Sequence, residues 1–257
     1  MSVFNNIKIE LVILLIITLS IFISFGFDLS IYNYFNKFNK IPNSVYLKEF
    51  FVDITVLGDS LWYFCFSIFF ILVFYLNKKF EIIKSKKLIN NFALTFFYIL
   101  TIGIITQIIK HIVGRPRPNY TNFEDGFGFN FFTFDSSFHS FPSGHSSTIF
   151  MVCLILCSFL PQLKYFFYIL AFIIALSRVV VGAHFFTDIV AGGLLALVVF
   201  KILNIYFNKN YKKYSFSKFK FTNNAQIYYF IIFLITTSLF LAVGPSLDLF
   251  ISSLFYH

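Results

Sequence analysis

Three short stretches of this chain carry side chains suited to chemistry on an anion. They are Lys110 with Arg117, then Pro142-Ser143-Gly144-His145, then Ser177-Arg178 with His184 and Asp188. Together they supply three fixed cations, a turn that contains glycine, and two histidines, one of which has a carboxylate four residues on. This set suits the binding of a phosphate-like anion while one imidazole attacks it and the other protonates the leaving group.

The stretch around His184 is the most informative of the three. On a helix, His184 and Asp188 would share one face, so the carboxylate could accept a hydrogen bond from the imidazole and raise the nucleophilicity of its other nitrogen. Arg178 offers a planar fork that matches two phosphate oxygens. A purely structural His–Asp pair is the alternative for this stretch alone, but ionisable groups at a membrane edge favour a functional site.

The first stretch is predicted to end an apolar helix. Lys110 lies near the predicted end, and Pro116 and Pro118 prevent the helix from continuing. Taken by itself, Lys110 could be a cation that extends from the helix end to the membrane surface. Either Arg115 or Arg117 could bind phosphate, and the six-residue spacing from Lys110 favours Arg117.

The second stretch predicts a turn that leads into a helix N-terminus. The first N–H groups of a helix lack intrahelical partners and lie at the positive end of its dipole, so an anion can bind there. Ser143 can cap the helix or donate to phosphate, and Gly144 lets the backbone approach an oxygen closely. A helix start without a function is the alternative.

The composition indicates an integral membrane protein. Of the 257 residues, 58% are hydrophobic and 12% are charged, and the apolar residues run in blocks of about twenty, the length with which a helix crosses a bilayer. We therefore expect an all-α, polytopic helix bundle that forms one domain over residues 1–257. The predicted spans are Ile9–Phe27, Ser60–Asn77, Leu88–His111, His145–Pro161, Lys164–Val181, His184–Phe207 and Gln226–Val243.

Two of the remaining segments also carry predictions. The first span follows Lys8 as a signal peptide would, but no small-residue cleavage site follows it, so we interpret it as a retained anchor. Within Leu29–Leu57, the spacing of Ile31, Tyr34, Phe35 and Phe38 predicts an amphipathic helix in the membrane interface.

The distribution of basic residues predicts the orientation. One set of connections holds 13 of the 20 basic residues. They are Lys8, Lys78, Lys79, Lys84, Lys86, Lys87, Lys164, Lys201, Lys209, Lys212, Lys213, Lys218 and Lys220. The positive-inside rule puts this set and the N-terminus in the cytoplasm, and all three motifs on the outer, periplasmic face of what we expect to be a bacterial inner membrane. The net charge of +9 is then explained by topology and anionic lipid, and nucleic-acid binding is not expected.

Jointly the three stretches resemble the signature of the type 2 phosphatidic acid phosphatase superfamily, which also contains vanadium haloperoxidases. That signature, Lys-x6-Arg-Pro, Pro-Ser-Gly-His and Ser-Arg-x5-His-x3-Asp, is matched at every fixed position between Lys110 and Asp188. The resemblance implies a six-helix membrane core around the motifs. The helix predicted at about residues 226–243 would be an addition at the C-terminal end.

The resemblance also implies a role for each motif residue. His184 would be the nucleophile that forms a phosphohistidine, Asp188 would orient it, and His145 would be the general acid. The phosphate cradle would consist of Lys110, Arg117, Ser143, Gly144 and Arg178. No metal or other cofactor would be needed, because three fixed cations would neutralise the charge that develops in phosphoryl transfer.

These observations predict a lipid phosphatase of the membrane. The expected substrate is a phosphate monoester or diphosphate of a membrane lipid, with the bilayer as its surroundings and no obligate protein partner. A phosphatase of soluble esters and a transporter are the alternatives, although a transporter would place ionisable groups near the midplane. The aromatic loop Asn119–Phe141 is predicted either to rest in the interface or to cover the acyl chains, and His139 is given no role.

Overall fold

The computed structural model describes residues 26–41, 45–76, 85–120 and 129–210, and within these ranges the regular structure is helical. We name the helices in chain order. They are α1 (26–38), α2 (Val45–Thr55), α3 (Ser60–Leu76), α4 (Ser85–Val113), α5 (Gly144–Phe159), α6 (Lys164–Val180) and α7 (Phe186–Asn210). The all-α helix bundle predicted from the sequence is confirmed.

The core of the bundle surrounds α5. This helix contacts α4, α6 and α7, and most of its length is buried. Tyr98 and Ile102 of α4, Met151 of α5 and Phe167 of α6 are among the fully buried side chains that meet in this core. Because α5 is enclosed by its neighbours, it can be shorter than a helix that faces lipid along its whole length.

Among the residues that the structure describes, three helices are long and apolar enough to cross a membrane, over Ile89–Val113, Pro161–Val180 and Phe186–Phe207. A fourth span results if Val45–Gly58 and Ser60–Val73, which meet at 47°, are counted as one bent span. The α5 helix is apolar but has only 16 residues, about 24 Å at 1.5 Å per residue, against about 30 Å of hydrocarbon. The predicted spans Ile9–Phe27, apart from its last two residues, and Gln226–Val243 lie outside the described residues.

Between the first two predicted spans, the described residues include the helices α1 and α2, and the spacing of the apolar residues predicts helix there. Ile31 and Phe35 of α1 pack against Ala175, Val179 and Ile189 of α6 and α7, whereas Tyr34 is exposed. The α1 helix is therefore amphipathic, and its apolar side is attached to the bundle.

Two of the helix boundaries that differ from the prediction lie next to motif residues. The α4 helix ends at Val113 because Gly114 adopts a left-handed conformation with φ of 56°, before either proline is reached. A side chain cannot replace this glycine, since a Cβ there would lie 1.6 Å from the carbonyl oxygen of Asn130. The α7 helix begins at Phe186, so His184 lies in the turn that precedes it.

Candidate active site

Four helix ends meet where the three sequence stretches come together. Lys110 lies in the last turn of α4, Ser143 caps α5, Arg178 lies in the last turn of α6, and His184 precedes α7. The N–H of Ser143 donates to the carbonyl of Asp188 at 3.0 Å, which joins the start of α5 to the first turn of α7. The eight predicted site residues are thus gathered at one end of the bundle.

His184 and Asp188 are adjacent, but not for the reason expected. The two residues were predicted to share a helix face, and this is wrong for His184 because α7 begins two residues after it. Instead, the turn before α7 brings Nδ1 of His184 to 3.6 Å from Oδ2 of Asp188. Because Nδ1 faces the carboxylate, Nε2 is the ring nitrogen that could react with a ligand.

The Asp188 carboxylate is fixed on both of its oxygens. Oδ2 accepts hydrogen bonds from the Ser140 hydroxyl at 2.5 Å and from the N–H of Phe185 at 2.8 Å. Oδ1 accepts from Nη1 of Arg115 at 2.5 Å. The Ser140 hydroxyl also lies 3.5 Å from Nδ1 of His184, so the serine bridges the histidine and its carboxylate.

The two arginines of the Arg-Pro-Arg-Pro run have different surroundings. Arg115 is fully buried and forms salt bridges with Asp28 and Asp188. Arg117 is half-buried, and its Nε donates to the carbonyl of Ser136 at 3.1 Å. Within the described ranges, no hydrogen bond involves the Nη groups of Arg117, whereas those of Arg115 are bound to carboxylates.

Lys110 is held by a backbone carbonyl that lies shortly before the second stretch. Its Nζ donates to the carbonyl of His139 at 2.6 Å, and its side chain is only 5% exposed. The His139 ring contacts the His111 ring with 4.4 Å between centroids, and its Nε2 lies 3.1 Å from the carbonyl of Thr133. His139, for which no role was predicted from the sequence, therefore positions the lysine through its backbone.

His145 and Arg178 are positioned by the end of α2 and by the segment that joins α2 to α3. Nη1 of Arg178 donates to the Thr55 hydroxyl at 3.0 Å, and the backbone of Gly58 lies against the His145 side chain. Arg178, Lys110 and Arg117 all lie within electrostatic reach of the His145 ring, as does His184. The two histidines and the three cations therefore lie close enough to influence one another electrostatically.

The start of α5 has the expected geometry of an anion site. The Ser143 oxygen accepts from the N–H of Ser146 at 3.4 Å, so the predicted N-cap is confirmed. This bond uses the oxygen as an acceptor and leaves the hydroxyl proton able to donate to a ligand. The first N–H groups of the helix, together with its dipole, favour an anion at this position.

The His184 imidazole is neutral in the absence of ligand. Its pKa is lowered to about 3, chiefly by burial; the Asp188 carboxylate opposes this shift, and the charges of Lys110 and Arg178 add to it. Burial and the two cations outweigh the carboxylate here. A neutral imidazole has an unshared electron pair on the nitrogen that carries no proton, as a nucleophile needs.

Metal ligands and paired cysteines are not part of this site as far as the structure describes the chain. No group of three or more His, Cys, Asp or Glu residues in the described ranges is arranged to hold a metal ion. Cys65, Cys153 and Cys157 are all free thiols.

Sequence reasoning missed four side chains next to the site: Asp28, Ser140, Thr187 and, as a partner of carboxylates, Arg115. Arg115 was noticed in the sequence because it lies two residues before Arg117, but only as an alternative phosphate ligand. Thr187 and Ser140 are close in sequence to motif residues, but hydroxyl residues are too common for proximity to identify them. Asp28 lies 82 residues before the first motif residue, and no local pattern identifies it.

Comparison with known proteins agrees with this arrangement. The sequence profile of the PAP2 superfamily matches residues 91–212, which contain all three motifs. Over these residues, just under half of its length, this chain is similar to the PAP2 superfamily. The match begins in α4 and ends just beyond α7, so it covers the helices whose ends form the site.

Bacterial enzymes are among the relatives of this chain. The lipid A 1-phosphatase of Rhizobium etli is 30% identical over 154 residues, which are 57% of this chain and 65% of the relative. The phosphatidylglycerophosphatase B of Bacillus subtilis is 32% identical over 108 residues, 38% of this chain and 48% of the relative. This chain thus spans about half to two thirds of the length of these two relatives.

A solved structure shares the fold. The transmembrane PAP2-type phosphatidylglycerolphosphate phosphatase of Bacillus subtilis superposes with a TM-score of 0.55 at 22% identity. The superposition covers 79% of this chain and 96% of the other. The arrangement of helices is therefore that of a transmembrane PAP2 protein.

Proposed function

We propose that this protein hydrolyses a phosphate monoester or diphosphate of a membrane lipid at the outer face of the membrane, without a metal ion, through a phosphohistidine. The observation that carries the proposal is the neutral His184, with Nδ1 beside Asp188 and Nε2 left for attack. Around it lie Lys110, Arg178 and the capped start of α5. A nucleophile beside fixed cations and free N–H groups suits a phosphoryl group.

The reaction has two steps. In the first, Nε2 of His184 attacks phosphorus and the bond from phosphorus to the leaving oxygen breaks, while His145 gives its proton to that oxygen. In the second, His145 takes a proton from water, the water oxygen attacks phosphorus, and the bond to His184 breaks to release inorganic phosphate. Asp188 stabilises the positive charge that the His184 ring acquires between the two steps.

The hydrogen bonds of the two arginines support the motif residues as the phosphate cradle. Arg117 has Nη groups that are not committed within the described residues, whereas both Nη groups of Arg115 bind carboxylates. This difference supports Arg117 as the phosphate ligand, as the six-residue spacing predicts. Lys110, Arg178, Ser143 and Gly144 complete the cradle.

A lipid substrate is supported by a groove beside the site. A groove of about 650 Å³ runs between α3 and α4, lined by apolar side chains that include Phe64, Leu100 and Ile104. It reaches His111 and Phe134 at the end of α4 where Lys110 lies. An acyl chain in this groove would lie beside a phosphate held at Lys110. The names of the relatives, a lipid A phosphatase and a phosphatidylglycerophosphatase, point to the same substrate class.

The position of the charges argues against a transporter. Lys110, Arg115 and Asp188, although buried, lie at or beyond the helix ends that form the site. A transporter would use such groups near the membrane midplane.

Phosphate release by detergent-purified protein tests the proposal. The substrates would be phosphatidate, phosphatidylglycerophosphate, a polyprenyl diphosphate and lipid A, with glycerol 3-phosphate as the soluble ester. We expect release from at least one lipid at a rate far above that from the soluble ester, and none from the His184→Ala variant. Release from the soluble ester alone would indicate the alternative phosphatase, and no release from any substrate would contradict the proposal.

A further inference from the structure

Asp28 is joined to Asp188 through Arg115, although it lies in α1 and outside the region matched by the PAP2 profile. Nη2 of Arg115 lies 2.7 Å from Oδ2 of Asp28, and Nη1 lies 2.5 Å from Oδ1 of Asp188. All three side chains are fully buried. A single guanidinium therefore bridges two carboxylates that come from opposite ends of the described chain.

Thr187 closes this cluster. Its hydroxyl accepts from Nη1 of Arg115 at 2.7 Å and donates to Oδ2 of Asp28, while its N–H donates to Oδ1 of Asp28 at 3.0 Å. The Arg115 guanidinium also lies 4.3 Å from the centre of the Phe185 ring. Asp28 is thus fixed by both of its oxygens, and its position relative to Asp188 is determined.

The charges of the cluster suggest why two carboxylates are present. A buried guanidinium paired with Asp188 alone would cancel the charge that the carboxylate needs in order to stabilise a positively charged His184 ring. With Asp28 included, two carboxylates and one guanidinium leave a net charge of −1 next to His184. Charges in a buried site act strongly on one another because little water screens them.

We propose that Asp28 is a positioning residue for the reaction, which holds Arg115 in place and offsets its charge so that Asp188 remains an effective partner for the positively charged His184 ring. This inference rests on the proposed function, since it concerns the charge that His184 acquires as the phosphohistidine forms. Asp28 acts through Arg115 and Asp188 and has no contact with the phosphate cradle among the described residues. It therefore affects formation of the phosphoenzyme and not substrate binding.

The first test compares Asp28→Asn with Asp53→Asn, which removes the same charge from an exposed position on α2. We expect Asp28→Asn to lower kcat by about tenfold or more and to leave KM unchanged. A loss of charge stabilisation equal to one pKa unit of His184 corresponds to about a tenfold change in rate. The rate of phosphohistidine formation, trapped in base because phosphohistidine is acid-labile, should fall by the same factor. Asp53→Asn should leave both rates unchanged. Unchanged kcat in folded Asp28→Asn would overturn the inference.

The second test separates charge from packing by means of Asp28→Glu. Glutamate keeps the charge but adds a methylene to a fully packed site, so its melting temperature should fall at least as far as that of Asp28→Asn. If Asp28 acts by its charge, Asp28→Glu should retain a higher kcat than Asp28→Asn. A lower or equal kcat in Asp28→Glu would indicate a packing role only and would overturn the inference.

A milder variant keeps the test decisive if neither of these proteins folds. Thr187→Val removes a hydroxyl that contacts both Asp28 and Arg115, without a change of charge. We expect a lower kcat with unchanged KM, and an unchanged kcat would count against the inference. Wild-type protein that releases phosphate from no substrate would instead contradict the proposed function, so the two failures are distinguishable.

Discussion

Gly58 and His145 are in direct contact, because a Cβ added at Gly58 would lie 2.8 Å from Cβ of His145 and 3.0 Å from Cδ2 of its ring. This glycine comes just before α3 and lies in the short helical turn after α2. The absence of a side chain at Gly58 allows the imidazole to occupy its place at the start of α5. The position of the proposed general acid therefore depends on a residue far from the motifs in sequence.

The Gly58→Ala variant should displace His145. A methyl group at that distance overlaps the histidine, so the ring must shift, and a shift of about 1 Å in a catalytic group can reduce a rate by about 100-fold. We expect kcat on an alkyl phosphate lipid to fall by about 10- to 100-fold. Gly26→Ala is the matched control, since a Cβ there would meet no atom within 4 Å. Equal kcat values for the two variants would show that the contact does not position the acid.

The two histidines should be separable by the leaving group. His184 attacks phosphorus whatever group leaves, so His184→Ala should abolish turnover of every ester. His145 supplies a proton, worth about 10²–10⁴-fold when the leaving alkoxide is basic. His145→Ala should therefore lose far more activity on an alkyl phosphate lipid than on p-nitrophenyl phosphate. An equal loss on both substrates, or an acid-labile phosphoenzyme in His184→Ala, would show that the roles are assigned wrongly.

Chelation of metal ions should not affect the reaction. Fixed cations surround the proposed phosphate position, and the described residues contain no cluster suited to a metal ion. Phosphate release should therefore continue in EDTA, while vanadate, which can adopt the five-coordinate geometry of the transition state, should inhibit it. Activity that is lost in EDTA and restored by Mg²⁺ or Zn²⁺ would contradict the metal-free mechanism.

The site should face the outside of the cell. The distribution of lysines predicts that Ser136, which is exposed near Arg117, is periplasmic and that Ser85, at the start of α4, is cytoplasmic. In a background without Cys65, Cys153 and Cys157, a membrane-impermeant thiol reagent should label Ser136→Cys in intact spheroplasts. Ser85→Cys should be labelled only after permeabilisation. The reverse pattern would place the substrate in the inner leaflet.

Acid should destabilise the protein through His184. Its pKa of about 3 in the folded protein lies below the value of about 6.5 expected in the unfolded chain. As the pH falls from about 6.5 towards 3, the unfolded state binds a proton that the folded state does not, and the free energy of unfolding decreases by up to about 1.4 kcal/mol per pH unit.

The apparent melting temperature in detergent measures this effect. It should fall more steeply between pH 6.5 and pH 4 for the wild type than for His184→Gln, which carries no titratable ring. Parallel curves for the two proteins would mean that another group causes the loss of stability in acid.

The sequence by itself determined the class of this protein and the residues of its motifs. Blocks of about twenty apolar residues predict membrane helices from composition alone. In lipid, the backbone N–H and C=O groups must form hydrogen bonds within the protein, and a helix satisfies them. Each motif is a local property of the chain: Lys110 with Arg117, the turn that holds His145, and Arg178 with His184 and Asp188. Since each stretch lies at the end of an apolar segment, the sequence also indicated that they share one face of the membrane.

Only the tertiary structure decided which neighbours these residues have. Arg115 and Arg117 have the same side chain and the same following proline, and burial against Asp28 and Asp188 distinguishes them. The Asp28–Arg115 bond joins residues 87 positions apart, and Gly58 meets His145 across a similar distance in sequence. His184 reaches Asp188 through a turn and not along a helix. Such pairings depend on how the helices pack, because burial and partner choice are set by groups that no local pattern brings together.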